Sequence, residues 1–100
     1  MNKTERTISD ERLQKYFSIT TEAFIEADKS KNRLPDFSKQ RVDFLDMIKR
    51  YIDDAHFFKE KNDYVNAFAA LSYAHGWLDA GARLGLFDVH DNRLFTVDDE

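Results

Sequence analysis

Between Tyr64 and Ala82 the chain carries a single charged side chain, Asp79. The stretch reads as a helix, because Tyr64, Ala67, Phe68, Leu71, Ala74, Leu78 and Ala82 recur at steps of three and four, the period that collects side chains on one helical face. A surface helix needs a polar outer side, and one that is apolar almost all round is normally covered on every side. The segment is therefore either a central helix or an interface. It also holds the only tryptophan, Trp77, and two of the three glycines, Gly76 and Gly81, with Gly85 just beyond.

One hundred residues make one domain with one core. No cysteine is present, which excludes disulfides and thiolate metal sites and fits a reducing, cytoplasmic setting. No apolar run approaches the roughly 20 residues of a membrane span, and MNKTERTISDER lacks the apolar centre of a signal peptide. The net charge of −4 is unevenly placed: residues 88–100 hold five acids against Arg93 alone, leaving 14 acidic and 14 basic side chains before them. The tail is acidic; the rest is balanced. Such a tail favours solubility and repels nucleic acid.

Leu13, Phe17, Thr20, Phe24 and Ala27 predict a first helix over about 9–30, with Ser9 as N-cap and Asp10 and Glu11 in the first turn, where the helix dipole favours negative charge. After the linker Asn32–Pro35, the face Phe37, Phe44, Leu45, Ile48, Tyr51, Ile52, Ala55 and Phe58 predicts a second helix over about 36–61. Its other side carries the i,i+4 pairs Asp46–Arg50, Lys49–Asp53 and Arg50–Asp54, the mark of a solvated face. Asp63 caps a third helix over about 64–84, which Gly85 closes in the left-handed conformation. Connections this short make neighbouring helices antiparallel. The expected fold is all-α: a three-helix up-and-down bundle over 1–87, followed by the acidic tail. LFDV (86–89) and RLFTV (93–97) flank His90, Asp91 and Asn92, so the tail is expected to form a small hairpin or an extended strip on the bundle.

The run YVNAFAALSYAHGWLDAGARLGLFD, Tyr64 to Asp88, resembles a family of short archaeal proteins that carries the domain-of-unknown-function label number 357. The likeness extends back through DERLQKYF (residues 10–17) and the acidic-aromatic second helix. The resemblance implies a cytosolic archaeal protein with a compact three-helix bundle, and it brings no catalytic residues.

Ser72, His75, Asp79 and Arg83 fall along one flank of the third helix. They form either a small polar pocket, with His75 as base or ligand, Asp79 orienting it and Arg83 clamping an anion, or a polar stripe that satisfies itself. No nucleophile or phosphate loop accompanies the set, which favours the stripe. Asp53 and His56 could join His75 and Asp79 around a metal, but carboxylate-bridged bundles draw their ligands from four helices, so no metal and no cofactor is expected. Arg50 and His56 match the Arg-x5-His spacing of HEPN-type ribonucleases, whose sequences look similar around DYVNAFAAL. Those nucleases carry it on a late helix of a larger bundle, so that likeness concerns architecture. Lys29, Lys31, Arg33, Lys39 and Arg41, offset by Asp28 and Asp36, could hold an RNA phosphate. In an acidic chain they read instead as a solvated loop and two helix ends, which argues against a nucleic-acid partner.

The aromatic surplus is the stronger signal. Tyr73, Trp77 and Leu84 lie off the core face of the third helix, Phe57 lies off that of the second, and Ile19 and Ile25 flank that of the first. Tryptophan and tyrosine are enriched at interface centres. The cover is either another chain or the tail, through Phe87, Val89, Leu94 and Phe95. The sequence thus points to a non-catalytic protein-interaction or assembly module, acting with a protein partner or as a homodimer. The alternative is a small-molecule, metal or RNA-related site around His75, Asp79 and Arg83.

Overall fold

The computed structural model describes residues 7–96. Three helices account for most of them: α1 (Asp10–Lys29), α2 (Ser38–Glu60) and α3 (Tyr64–Leu84). Among the described residues there is no strand and no helix long and apolar enough to cross a membrane. The expected caps form. Ser9 accepts from the Arg12 N–H at 3.1 Å, Asp63 accepts from that of Asn66 at 3.2 Å, and Gly85 closes α3 with φ of 101°. One expectation fails. Pro35–Phe37 winds as a 3₁₀ turn before α2 begins, and that tighter geometry takes Phe37 off the core face and leaves it 50% exposed.

α3 is the central element: it packs closely on α2 and also carries α1, while α1 and α2 touch each other least. Two apolar clusters share the interior. At one end Leu13 and Phe17 meet Ala55, Ala67, Ala70 and Leu71. At the other, Ala23, Ala27, Ala74 and Ala82 leave room beside Ile48, Ile52 and Leu78. The rest of that space is filled from outside the helices, by Leu86, Phe87, Val89, Leu94 and Phe95. Phe87 and Phe95 are the largest fully buried side chains, each contributing about 1.5–3 kcal/mol by burial. Gly81 makes the closest fit, since a Cβ there would stand 2.3 Å from the Phe87 ring. The tail as far as Thr96 is therefore a strap over the bundle, with a turn in which Leu94 and Phe95 donate to the Asp91 carbonyl. Asp98, Asp99 and Glu100 lie outside the described residues.

The strap end is tied together by Arg41 on α2. Its guanidinium donates to the carbonyls of Ala27, Asp28 and Ser30, to the Ser30 hydroxyl, and to the Leu86 carbonyl at 2.6 Å. The same group lies over the Phe87 ring, 5.4 Å from its centroid. One cation thus satisfies the carbonyls that α1 leaves open at its C-terminus and anchors the chain emerging from α3. Two backbone bonds brace the junction, from Arg33 N–H to the Gly85 carbonyl and from Asp88 N–H to that of Lys31, each 2.9 Å.

Arg41→Lys should cost about 1.5–3 kcal/mol in urea unfolding, because one ammonium cannot reproduce a fork with five donors; an unchanged midpoint would refute this role. Gly81→Ala should cost about 1–3 kcal/mol by displacing Phe87, and near-ultraviolet circular dichroism should register the lost aromatic packing.

Candidate functional site

α3 has two flanks, and they differ. On the flank toward α1, His75 Nε2 stands 3.9 Å from Asp79 Oδ2. Asp79 Oδ1 accepts from the Thr96 N–H at 2.9 Å, and Arg83 Nη1 donates to the Thr96 carbonyl at 3.1 Å. Because residues i and i+4 neighbour each other on a helix surface, an acid followed by a base at that spacing offers an acceptor and a donor to one extended residue. Asp79 and Arg83 use it to grip the strap. Arg93 holds the strap to α1 through Glu22 at 2.8 Å and also reaches Asp91 at 3.3 Å. These carboxylates raise the Arg93 pKa further, the Glu22 hydrogen bond being the main cause. Ser72 turns its hydroxyl back to the Phe68 carbonyl at 3.1 Å. A groove of about 450 Å³ remains between α1 and α3, lined by Tyr16, Ile19, His75, Asp79 and Arg93 among others.

The structure therefore closes two of the four polar residues, Asp79 and Arg83, on one backbone, with His75 beside Asp79. His75 and Asp79 neighbour each other, Asp79 and Arg83 meet at Thr96, and Ser72 bonds within its own helix. The sequence signal for the grip was the Asp79–Arg83 spacing. Its object, the peptide unit of Thr96, carries no signal of its own.

The other expected groups are dispersed. His56 lies on α2 with its ring 4.5 Å from that of Phe17. Asp53 pairs with Lys49 at 3.3 Å and Arg50 with Asp46 at 2.9 Å. Among the described residues no group of three or more His, Asp or Glu is placed to hold a metal ion. Of the basic cluster, Arg41 is the hub described above, and Arg33 stands 3.9 Å from Asp88.

The outward side of α3 is apolar apart from Asn66, Ser72 and Arg83. Tyr73 is 63% exposed and stacks on Tyr51 of α2, centroids 5.5 Å apart. Trp77 is half-buried, edge-on to Phe44 at 4.8 Å. Leu84 is 59% exposed, and Val65, which no helical period singles out, is 51% exposed. Between them Ser72, Gly76 and Ala80 are exposed, forming the floor of a groove of about 400 Å³ walled by Phe44, Tyr73 and Trp77. Phe57 is 54% exposed and stands elsewhere, on the outer side of α2 against Phe58 and Lys61. Phe87, Val89, Leu94 and Phe95 enter the core and leave Tyr73 and Leu84 open.

Gly76 is the unexplained residue of this face. A Cβ there would meet nothing within 4 Å, so neither packing nor backbone conformation within the chain demands glycine. Glycine inside a helix costs roughly 0.5–1 kcal/mol relative to alanine.

The model of the family described as protein of unknown function DUF357 matches residues 15–87. The chain belongs to that family. The match spans all of α2 and α3 and most of α1, and it ends at Phe87, so Leu94, Phe95 and the gripped Thr96 lie beyond it. No curated protein and no solved structure gives a significant match.

Asp79→Ala should cost about 1 kcal/mol and accelerate amide hydrogen exchange at Thr96, whereas His75→Ala should leave that exchange unchanged. Equal protection of Thr96 in both variants would show that the strap does not depend on the grip.

Proposed function

We propose that this chain is a protein-interaction or assembly module of the cytoplasm that works through the outward side of α3. The observation carrying this reading is the exposed row Val65, Tyr73 and Leu84 on a helix whose one acid, Asp79, is turned to the strap. Exposed apolar residues that occur singly are ordinary. Several within one sector of about 100° on one helix, with a half-buried tryptophan and an apolar groove between them, have the composition of an interface centre. The polar flank supports the same reading, because Asp79 and Arg83 are engaged in holding the chain's own backbone.

Tagged wild-type chain, Tyr73→Glu and the control Lys49→Glu, cross-linked in cells of the source organism, test this. Wild type and control should retain the same proteins, further copies of the chain included. Tyr73→Glu should lose them at least tenfold while keeping its helical spectrum and melting behaviour. Identical retention by all three would refute the assignment.

A further inference from the structure

We infer that the occupant of this face is a second copy of the same chain, joined through an antiparallel pair of α3 helices. The inference rests on the interaction reading above and names its partner. The argument begins at Gly76, an exposed glycine that nothing inside the chain requires. Three residues before it stands Tyr73, the most exposed large apolar side chain on α3. A knob and a hole on one face complement a copy of that face, since a two-fold axis makes every contact twice.

The register follows from the positions. An axis crossing α3 between Ala74 and His75 puts Tyr73 level with Gly76 of the second copy, Ala69 level with its Ala80, and Val65 level with its Leu84. Each layer is reasonable in size: tyrosine beside glycine, alanine beside alanine, valine beside leucine. The layer of Tyr73 and Gly76 comes close to the axis, where the helices approach most nearly and a missing side chain matters most. Charge agrees. The one ion bordering the face, Arg83, is held to the Thr96 carbonyl and stands level with Asn66 of the second copy in this register. Two chains of net charge −4 can therefore meet there without opposing like charges, and antiparallel helices oppose their dipoles favourably. The row from Val65 to Leu84 is about 28 Å long at 1.5 Å per residue. At roughly 20 Å width it offers on the order of 600 Å² per copy, the lower end of specific interfaces. The pair is therefore a reversible dimer whose population depends on concentration.

The absence of cysteine gives a clean test. Val65→Cys and Leu84→Cys are made separately in the full chain and treated with a short bismaleimide, alone and mixed. The antiparallel register places like positions about 28 Å apart and unlike positions side by side. Cross-linked dimer should therefore form in the mixture and not in either variant alone. Cross-linking of each variant with itself would overturn the antiparallel arrangement. Sedimentation of the cysteine-free chain from micromolar to near-millimolar concentration should show a monomer–dimer equilibrium. Gly76→Leu should shift it at least tenfold toward a monomer whose helicity and melting temperature are no lower than those of wild type. A wild-type chain that stays monomeric throughout, or a Gly76→Leu chain that dimerises as before, would overturn the self-pair. If the Tyr73→Glu-sensitive capture of other proteins persisted in that case, the face would belong to a different partner, and the interaction reading would stand without the dimer. Loss of both would remove both.

Discussion

The fold depends on one guanidinium. Arg41 sits where three chain segments converge: the C-terminus of α1, the start of α2 and the chain leaving α3. Helix ends expose carbonyls that need partners, and burying them unsatisfied is costly. Here a planar, permanently charged fork supplies donors to α1 and to Leu86 at once and covers the Phe87 ring. The placement of Phe87 in turn fixes where the strap enters the core. A residue that reads as one member of a basic surface cluster is thus the fastener of the molecule.

Around that fastener, residue size does the sorting. Ala23, Ala27, Ala74, Gly81 and Ala82 are small at one end of the bundle, and Phe87, Leu94 and Phe95 add to Ile48, Ile52 and Leu78 the bulk that fills the space. Interiors pack to crystal-like density, so small helical positions imply a large neighbour somewhere. The charge pattern separates residues 88–100 from the rest of the chain, whereas the packing joins residues 86–96 to it.

The strap also explains why the two flanks of α3 differ. On one, Asp79 and Arg83 hold the backbone of Thr96, and Arg93 ties the same segment to α1. On the other, Tyr73 and Trp77 rest against Tyr51 and Phe44, while Gly76 and Ala80 stay open. The tail that was one candidate to cover the aromatic stripe is occupied with the core and the polar flank. An apolar helix covered on three sides, by α1, α2 and the strap, leaves Val65, Tyr73 and Leu84 exposed on its fourth.

How much of this was legible in the sequence depends on the range of the interaction. Helix bounds, caps and the closing glycine follow from local rules: Ser9, Asp63 and Gly85 each act on backbone within a few residues. The core faces of α1 and α3 follow from periodicity, which holds while the helix is regular. It failed at Phe37, where a 3₁₀ turn changes the angle per residue. The polar set on α3 was legible as a set, since its members share one helix. That Arg41 spans 45 residues to reach Leu86, and that Asp79 and Arg83 both close on Thr96, was not. Hydrogen bonds between distant segments leave no period in the chain, because only folding brings their partners within reach. The sequence by itself determined three helices, their caps and an uncharged third helix. The tertiary structure decided which side of that helix the strap would close and which would stay open, because that choice turns on the space left between packed side chains.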